Sequence, residues 1–315
     1  MPAAGPPESK TAAQASRMNR RAVLRSALAL PAVLAAPAAF AAPPEPRRYF
    51  ARVLMSGHSL TDSILPPLQI MVSAVGGAEA RRGVIDRSTV PGSPMEWRWE
   101  KRHEIPPDAR LDIGNYDVLV NTERGSLVAT MPYHDTLGYA LKWFEHAWKN
   151  GNGGKGAESI LYATWVSIDS GPEYAKTSQD PEAHLTFRER LGPEMARWQE
   201  IADYVNQNRS AGSPAMTVIP GPLIMKAVLD DIEAGKAPGL SAISDLFTDD
   251  IHLSDIGSYL IAMAHFAVIY RRDPRILPAN SGLVEGPKPE TIVWMKDLVA
   301  RVLRDYPGAG LEGLF

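Results

Sequence analysis

From Tyr49 onward, short apolar runs alternate with longer amphipathic stretches, and this alternation restricts the fold more than any other feature. Tyr49–Met55 reads as a buried strand ending at Ser56-Gly57. Gly83–Arg87 reads as a weaker strand, and Asp117–Asn121, Ser159–Val166 and Met216–Ile219 as further ones. Between them lie helical patterns. Leu60–Val75 carries Ile64, Leu68, Met71, Val72 and Val75 near helical spacing, with Pro66 and Pro67 kinking or delaying its start. His134–Lys149 closes on Asn150-Gly151-Asn152-Gly153-Gly154. Leu191–Asn208 and Leu223–Glu233 follow, then an apolar helix capped by Ser254-Asp255 and running to about Tyr270. Pro289–Tyr306 begins with proline at its first turn, where a missing amide costs little. Strands separated by helices require crossover connections, so the expected fold is α/β, a mainly parallel sheet with helices on both faces. There is no repeat and no clear linker, and residues 42–315 read as one domain. In such sheets, working residues gather at the C-terminal ends of strands.

Residues 1–41 have a different character. Arg20-Arg21 precedes an almost unbroken run of Ala, Leu, Val and Pro, which closes on Ala39-Phe40-Ala41, a small-x-small site suited to a signal peptidase. The layout resembles a twin-arginine export signal. A membrane anchor is the alternative, but the run is short for a span of roughly 20 residues and is broken by Pro31 and Pro37. The expectation is cleavage, a periplasmic or secreted protein and no stable membrane insertion afterwards. The 33 basic and 36 acidic residues leave a net charge of −3, with no basic excess to suit nucleic acid. With no cysteine in the chain, thiol nucleophiles, disulfides and thiolate metal sites are excluded.

Two short blocks carry chemistry. Ser56-Gly57-His58-Ser59-Leu60-Thr61-Asp62 lies where the first strand passes into the first helix. Ser59 is either a plain helix cap or a nucleophile presented at the sheet edge. Near the other end, Asp249-Asp250-Ile251-His252 precedes the long apolar helix. A serine hydroxyl needs a base, histidine titrates near neutrality, and a carboxylate holds the histidine's tautomer. Asp249 and His252 are close enough for one loop to present both. Asp250 is an alternative carboxylate.

Together the blocks resemble those of the SGNH (GDSL-like) serine hydrolases. Gly57-His58-Ser59-Leu60 matches Gly-Asp-Ser-Leu except for His58 at the Asp position, and Asp249-x-x-His252 matches the last block. The resemblance spans most of residues 42–315, although its specific motifs occupy only the two ends. It implies a three-layer flavodoxin-like fold and ester hydrolysis through an acyl-serine, with Ser59, His252 and Asp249 as the triad. It also implies an oxyanion hole completed by a Gly and an Asn after the second and third strands. Gly92 is the candidate for the first, though a plain turn glycine reads as well. For the second, a strict overlay of Gly-x-Asn-Asp places Asn121 at the Gly and Glu123 at the Asn. Chemistry favours Asn121, since a carboxylate repels an oxyanion. If Glu123 occupies the Asn place, it would instead bind substrate hydroxyls or pair with Arg124.

Trp97 and Trp99 share one face if the chain there is extended, where they would stack on a sugar ring or else pack in the core. The remaining histidines, His103, His134, His146, His184 and His265, lack zinc-type spacing, and His265 reads as core. The expectation is an exported esterase, without metal or organic cofactor, that removes O-acyl groups, acetyl first, from carbohydrate. A lipid ester or thioester is the nearest rival substrate. A glycan-binding protein on the same scaffold and an acyltransferase are the rival functions.

Overall fold

Val53 and Met55 face one side of their strand while Leu54 faces the other, and all three are fully buried. The same division recurs at Val118 and Val120 against Leu119, and at Ile160 and Tyr162 against Leu161. A strand buried on both faces belongs to a parallel sheet covered twice. The structure, a computed structural model, describes residues 44–101 and 105–315. The arginine pair Arg20-Arg21, the Ala39-Phe40-Ala41 site and His103 lie outside the described residues.

In chain order the elements are β1 (Arg52–Gly57), α1 (Ser59–Asp62), α2 (Leu65–Ala80), β2 (Val84–Thr89), α3 (Met95–Glu100), α4 (Ala109–Asp112) and β3 (Val118–Asn121). They continue with α5 (Leu127–Thr130), α6 (Thr136–Gly154), β4 (Glu158–Ala163), α7 (Phe187–Asn208), β5 (Thr217–Pro220), α8 (Gly221–Glu233), α9 (Asp255–Tyr270) and α10 (Pro289–Arg304). The five strands form one sheet in the order β2-β1-β3-β4-β5, every pair parallel. This is the flavodoxin-like order. The fold implied by the SGNH resemblance is the fold observed.

One layer of helices holds α2, α8, α9 and α10, the other α6 and α7, each built around its own apolar cluster. Every residue of α9 from Gly257 to Tyr270 is buried. Among them, His265 has its Nδ1 bonded to the Ile261 carbonyl (3.0 Å), and burial lowers its pKa to about 4, so it is a neutral core residue. No helix among the described residues is long and apolar enough to cross a membrane.

Strand order reverses at β1, with β2 on one side and β3 on the other. The crevice outside the C-terminal ends of these strands is where such sheets bind ligands. The shared face of Trp97 and Trp99 required an extended chain, but the segment is the helix α3. At about 100° per residue, positions two apart on a helix point nearly opposite ways. Trp97 is exposed, while Trp99 packs edge-on against Trp143 (4.9 Å between centroids) with the Lys142 ammonium over its ring.

Candidate active site

The first strand ends where only glycine fits. A Cβ on Gly57 would lie 2.1 Å from Thr61 Oγ1 and 3.1 Å from the Thr122 side chain. The chain therefore turns sharply into α1, whose N-cap is His58 and whose first residue is Ser59. The first amides of a helix have no intrahelical acceptor. The delay expected from the prolines is real: α1 is a single turn, and α2 restarts at Leu65 with proline at its first positions. His58 is buried. Its Nδ1 accepts from the Leu60 amide (3.4 Å), so Nε2 carries the proton and donates to the Glu123 carbonyl (3.0 Å). Burial, then the nearby Arg98 charge, lower its pKa to about 4, which keeps the ring neutral at pH 7. The histidine thus ties the Ser59 turn to the segment after β3.

The second block is a tight loop closed by a bridge between Phe247 and Leu253 and by the Thr248 amide donating to the His252 carbonyl (2.8 Å). Asp249 Oδ1 accepts from the amides of His252 (2.6 Å) and Ile251 (2.9 Å), while Oδ2 accepts from His252 Nδ1 (2.7 Å). His252 Nε2 lies 2.9 Å from Ser59 Oγ. With Nδ1 donating to the carboxylate, Nε2 is the acceptor facing the serine hydroxyl. Those backbone bonds, the His252 amide first, lower the Asp249 pKa to about 2, although half of its side chain is exposed. Behind the loop, Ser254 caps α9, and a Cβ on Gly257 would strike the Leu246 carbonyl at 2.2 Å. The loop is therefore clamped to the helix that follows. Asp250 does not join the group, because its carboxylate accepts from Ser167 Oγ (2.6 Å).

A cavity of about 550 Å³ opens on Ser59 and His252. Leu60, Pro91, Gly92, Gly125, Trp165 and Ile251 line much of it. The volume is ordinary for a small-molecule site. Gly92 sits in the turn after β2 with φ +64°, a conformation that suits glycine. Gly125 is confined by the Trp165 carbonyl, 2.9 Å from where its Cβ would be. At both positions it is the backbone that borders the cavity. The Trp165 indole N–H donates to the Ile251 carbonyl (3.0 Å) and so fixes the residue next to His252.

Asn121 ends β3 and is buried. Its Oδ1 accepts from Arg98 (3.1 Å). A guanidinium has only donors, so this contact sets the amide's orientation and leaves the Asn121 nitrogen facing away from Arg98. Arg98 also donates to the Ser93 carbonyl (2.6 Å), to Ser56 Oγ (3.3 Å) and to the Thr122 carbonyl. It joins the ends of β1 and β3 to the turn after β2. Burial lowers its pKa to about 10, opposed by Glu123.

Glu123 is not placed to bind substrate. It is fully buried, and its carboxylate accepts from the amides of Met95 (2.9 Å) and Arg124 (2.7 Å) and from Thr136 Oγ1 (3.1 Å). It anchors the first residues of α3 and α6. Its contact with Arg124 is to the backbone, while the Arg124 side chain reaches Thr130. Asn121, Trp97 and Trp99 do not line the Ser59 cavity either. The residues missed from the sequence are Arg98, Gly125, Trp165 and Ile251. For Gly125 and Trp165 a signal existed, since each follows the C-terminal end of a strand. Arg98 had none, lying between two tryptophans in a segment assigned to no element. Among the described residues, no cluster of three or more histidines and carboxylates is arranged to hold a metal ion.

No protein-family model matches the chain, and no curated protein is significantly similar to it. Solved structures do resemble it. A DUF4886 family protein from Bacteroides uniformis superposes with a TM-score of 0.55 at 13% identity, over 82% of this chain and 96% of that one. A Slackia heliotrinireducens protein regarded as an SGNH hydrolase gives 0.40 at 20% identity, over 69% and 97%. An acetyl xylan esterase gives 0.45 at 15% identity, over 69% and 99%. The first of these shares the fold.

Proposed function

We propose that this chain is an exported serine esterase that removes small O-acyl groups, acetyl first, through an acyl-serine intermediate. The observation that carries the reading is the continuous hydrogen-bonded line Asp249–His252–Ser59, with 2.7 Å and 2.9 Å links, at the mouth of a cavity. His252 Nε2 takes the Ser59 proton as Oγ attacks the ester carbonyl. The carbonyl π electrons move onto oxygen. We assign the oxyanion to the Ser59 amide and to backbone at Gly92, both of which border the cavity. When the tetrahedral intermediate collapses, the carbon–oxygen bond to the alcohol breaks and His252 gives its proton to the departing oxygen. Water, deprotonated by His252, then attacks the acyl-serine, releasing the acid and restoring Ser59. Asp249 stays ionised throughout and stabilises the imidazolium.

Export rests on Arg20-Arg21, the apolar run and Ala39-Phe40-Ala41. Protein recovered from a bacterial periplasm should begin at Ala42 and hydrolyse p-nitrophenyl acetate. Ser59→Ala and His252→Ala should each lower turnover on the order of a millionfold, and the double variant barely further, because the residues act as a unit. Near-normal turnover by folded Ser59→Ala would remove the nucleophile from the account. A mature protein retaining Arg20 would remove the export signal.

A further inference from the structure

A second cavity, of about 510 Å³, adjoins the one at Ser59 and shares Arg124, Gly125 and Ile251 with it. The two differ in chemistry. Around Ser59 the walls include Leu60, Pro91 and Trp165, whereas most residues lining the neighbouring cavity carry a hydroxyl, carboxylate or guanidinium group. Its most buried charges compensate each other, while Arg124, Asp169 and Asp250 stand nearer its rim. Arg190, almost fully buried, is ion-paired with Asp180, and Asp180 also accepts from Ser126 Oγ. Arg190 Nη1 donates to Ser170 Oγ (2.7 Å). A floor so paired offers hydrogen-bonding atoms without a net demand for an anion or a cation. One large ring is available: Tyr174, 43% exposed, lies at its side with Asp169 beside it.

We infer that this second cavity is the subsite for the alcohol half of the ester, and that the alcohol is a neutral polyhydroxylated ring, a sugar, with Tyr174 as its stacking face. The inference rests on the esterase reading above and locates the substrate's two halves. His252 must protonate the departing oxygen, so the alcohol leaves on the His252 side. Ile251, bonded to His252 in the chain, lines both cavities, and the ester therefore straddles the boundary at Gly125 and Ile251. The small acyl group lies toward Leu60, Pro91 and Trp165, and the ring enters the polar cavity. Ring hydroxyls find paired donors and acceptors, and the apolar ring face meets the tyrosine. This moves the aromatic platform from Trp97 and Trp99 to a residue 75 or more positions further along the chain.

The test compares kcat/KM on p-nitrophenyl acetate with kcat/KM on an O-acetylated methyl glucoside. Tyr174→Ala should lose roughly three- to tenfold more on the sugar ester than on the aryl ester, the worth of one aromatic contact. Tyr174→Phe, which keeps the ring, should restore the sugar-ester value. Equal losses on the two esters, or a wild-type protein that cleaves the aryl ester but not the sugar ester, would overturn the subsite. Calorimetric titration of Ser59→Ala with the same glucoside reads the subsite without turnover. Binding weakened by Tyr174→Ala, in a protein whose wild type cleaves neither ester, would keep the subsite and reject the esterase. Absence of binding would reject the subsite.

Discussion

Asp249 and Asp250 are neighbours in the chain and differ in what they face. Asp249 holds two backbone amides with one oxygen and His252 with the other, while Asp250 is turned toward Ser167. The arrangement makes Asp249→Asn informative. The asparagine oxygen would keep the two amides, which leaves its NH₂ facing His252 Nδ1. Nδ1 must then accept, Nε2 must carry the proton, and the imidazole is no longer a base toward Ser59. Turnover of p-nitrophenyl acetate should fall by roughly ten-thousandfold with the fold intact, while Asp250→Asn should retain most of it. The opposite pattern would move the carboxylate by one residue. Ionised Asp249, with a pKa of about 2, is not the group that limits activity between pH 4 and 7. Spacing alone left both aspartates open in the sequence, and it was the resemblance to the SGNH last block that favoured Asp249 over Asp250. Glu123 was not legible, because its role depends on Met95 and Thr136, which approach it only in the folded chain.

At the scale of elements, the helix ends carried the clearest signals. Ser254 caps α9 as its position before the apolar run suggested, and α10 begins at Pro289. The start of α7 was placed too late, although Thr186 and Glu189 form a capping box that its spacing announces. α3 was missed because six residues of Met-Glu-Trp-Arg-Trp-Glu alternate in polarity and mimic a strand. What makes them a helix is tertiary: Glu123 receives the first amide and Arg98 is drawn into the core.

α7 also supports the loop beyond β3. Its Glu194 is fully buried and accepts from the Leu127 amide (2.9 Å), just past Gly125. Burial raises its pKa to about 7, opposed by that bond and by Arg197 and Arg190. In the unfolded chain it ionises near 4.5. Between those values the folded state holds the proton and the unfolded state does not, so stability is lost as pH rises from about 4.5 to about 7. Glu194→Gln, which cannot ionise, should raise Tm at pH 8 relative to wild type by more than at pH 5. A Tm difference that does not change with pH would show that this carboxyl is not the source.

At the scale of the molecule, the two sequence blocks lie 190 residues apart and meet because the sheet reverses its order at β1. Ser59 follows β1, Gly92 follows β2, Gly125 follows β3, Trp165 follows β4, and His252 precedes α9, so one crevice collects residues from most of the chain. The parallel sheet was legible because buried strands are apolar throughout. The crevice lining was only partly legible, because residues just beyond strand ends are chosen for contacts with other loops and carry no periodicity. The central claim is that Ser59 is a nucleophile activated by His252 rather than a helix cap. Its most direct measurement is reaction with a fluorophosphonate followed by peptide mass spectrometry. The account predicts a single phosphonyl adduct on the peptide containing Ser59, lost in Ser59→Ala and strongly reduced in His252→Ala. An unlabelled wild-type protein, or an adduct on another serine that persists in Ser59→Ala, would contradict it.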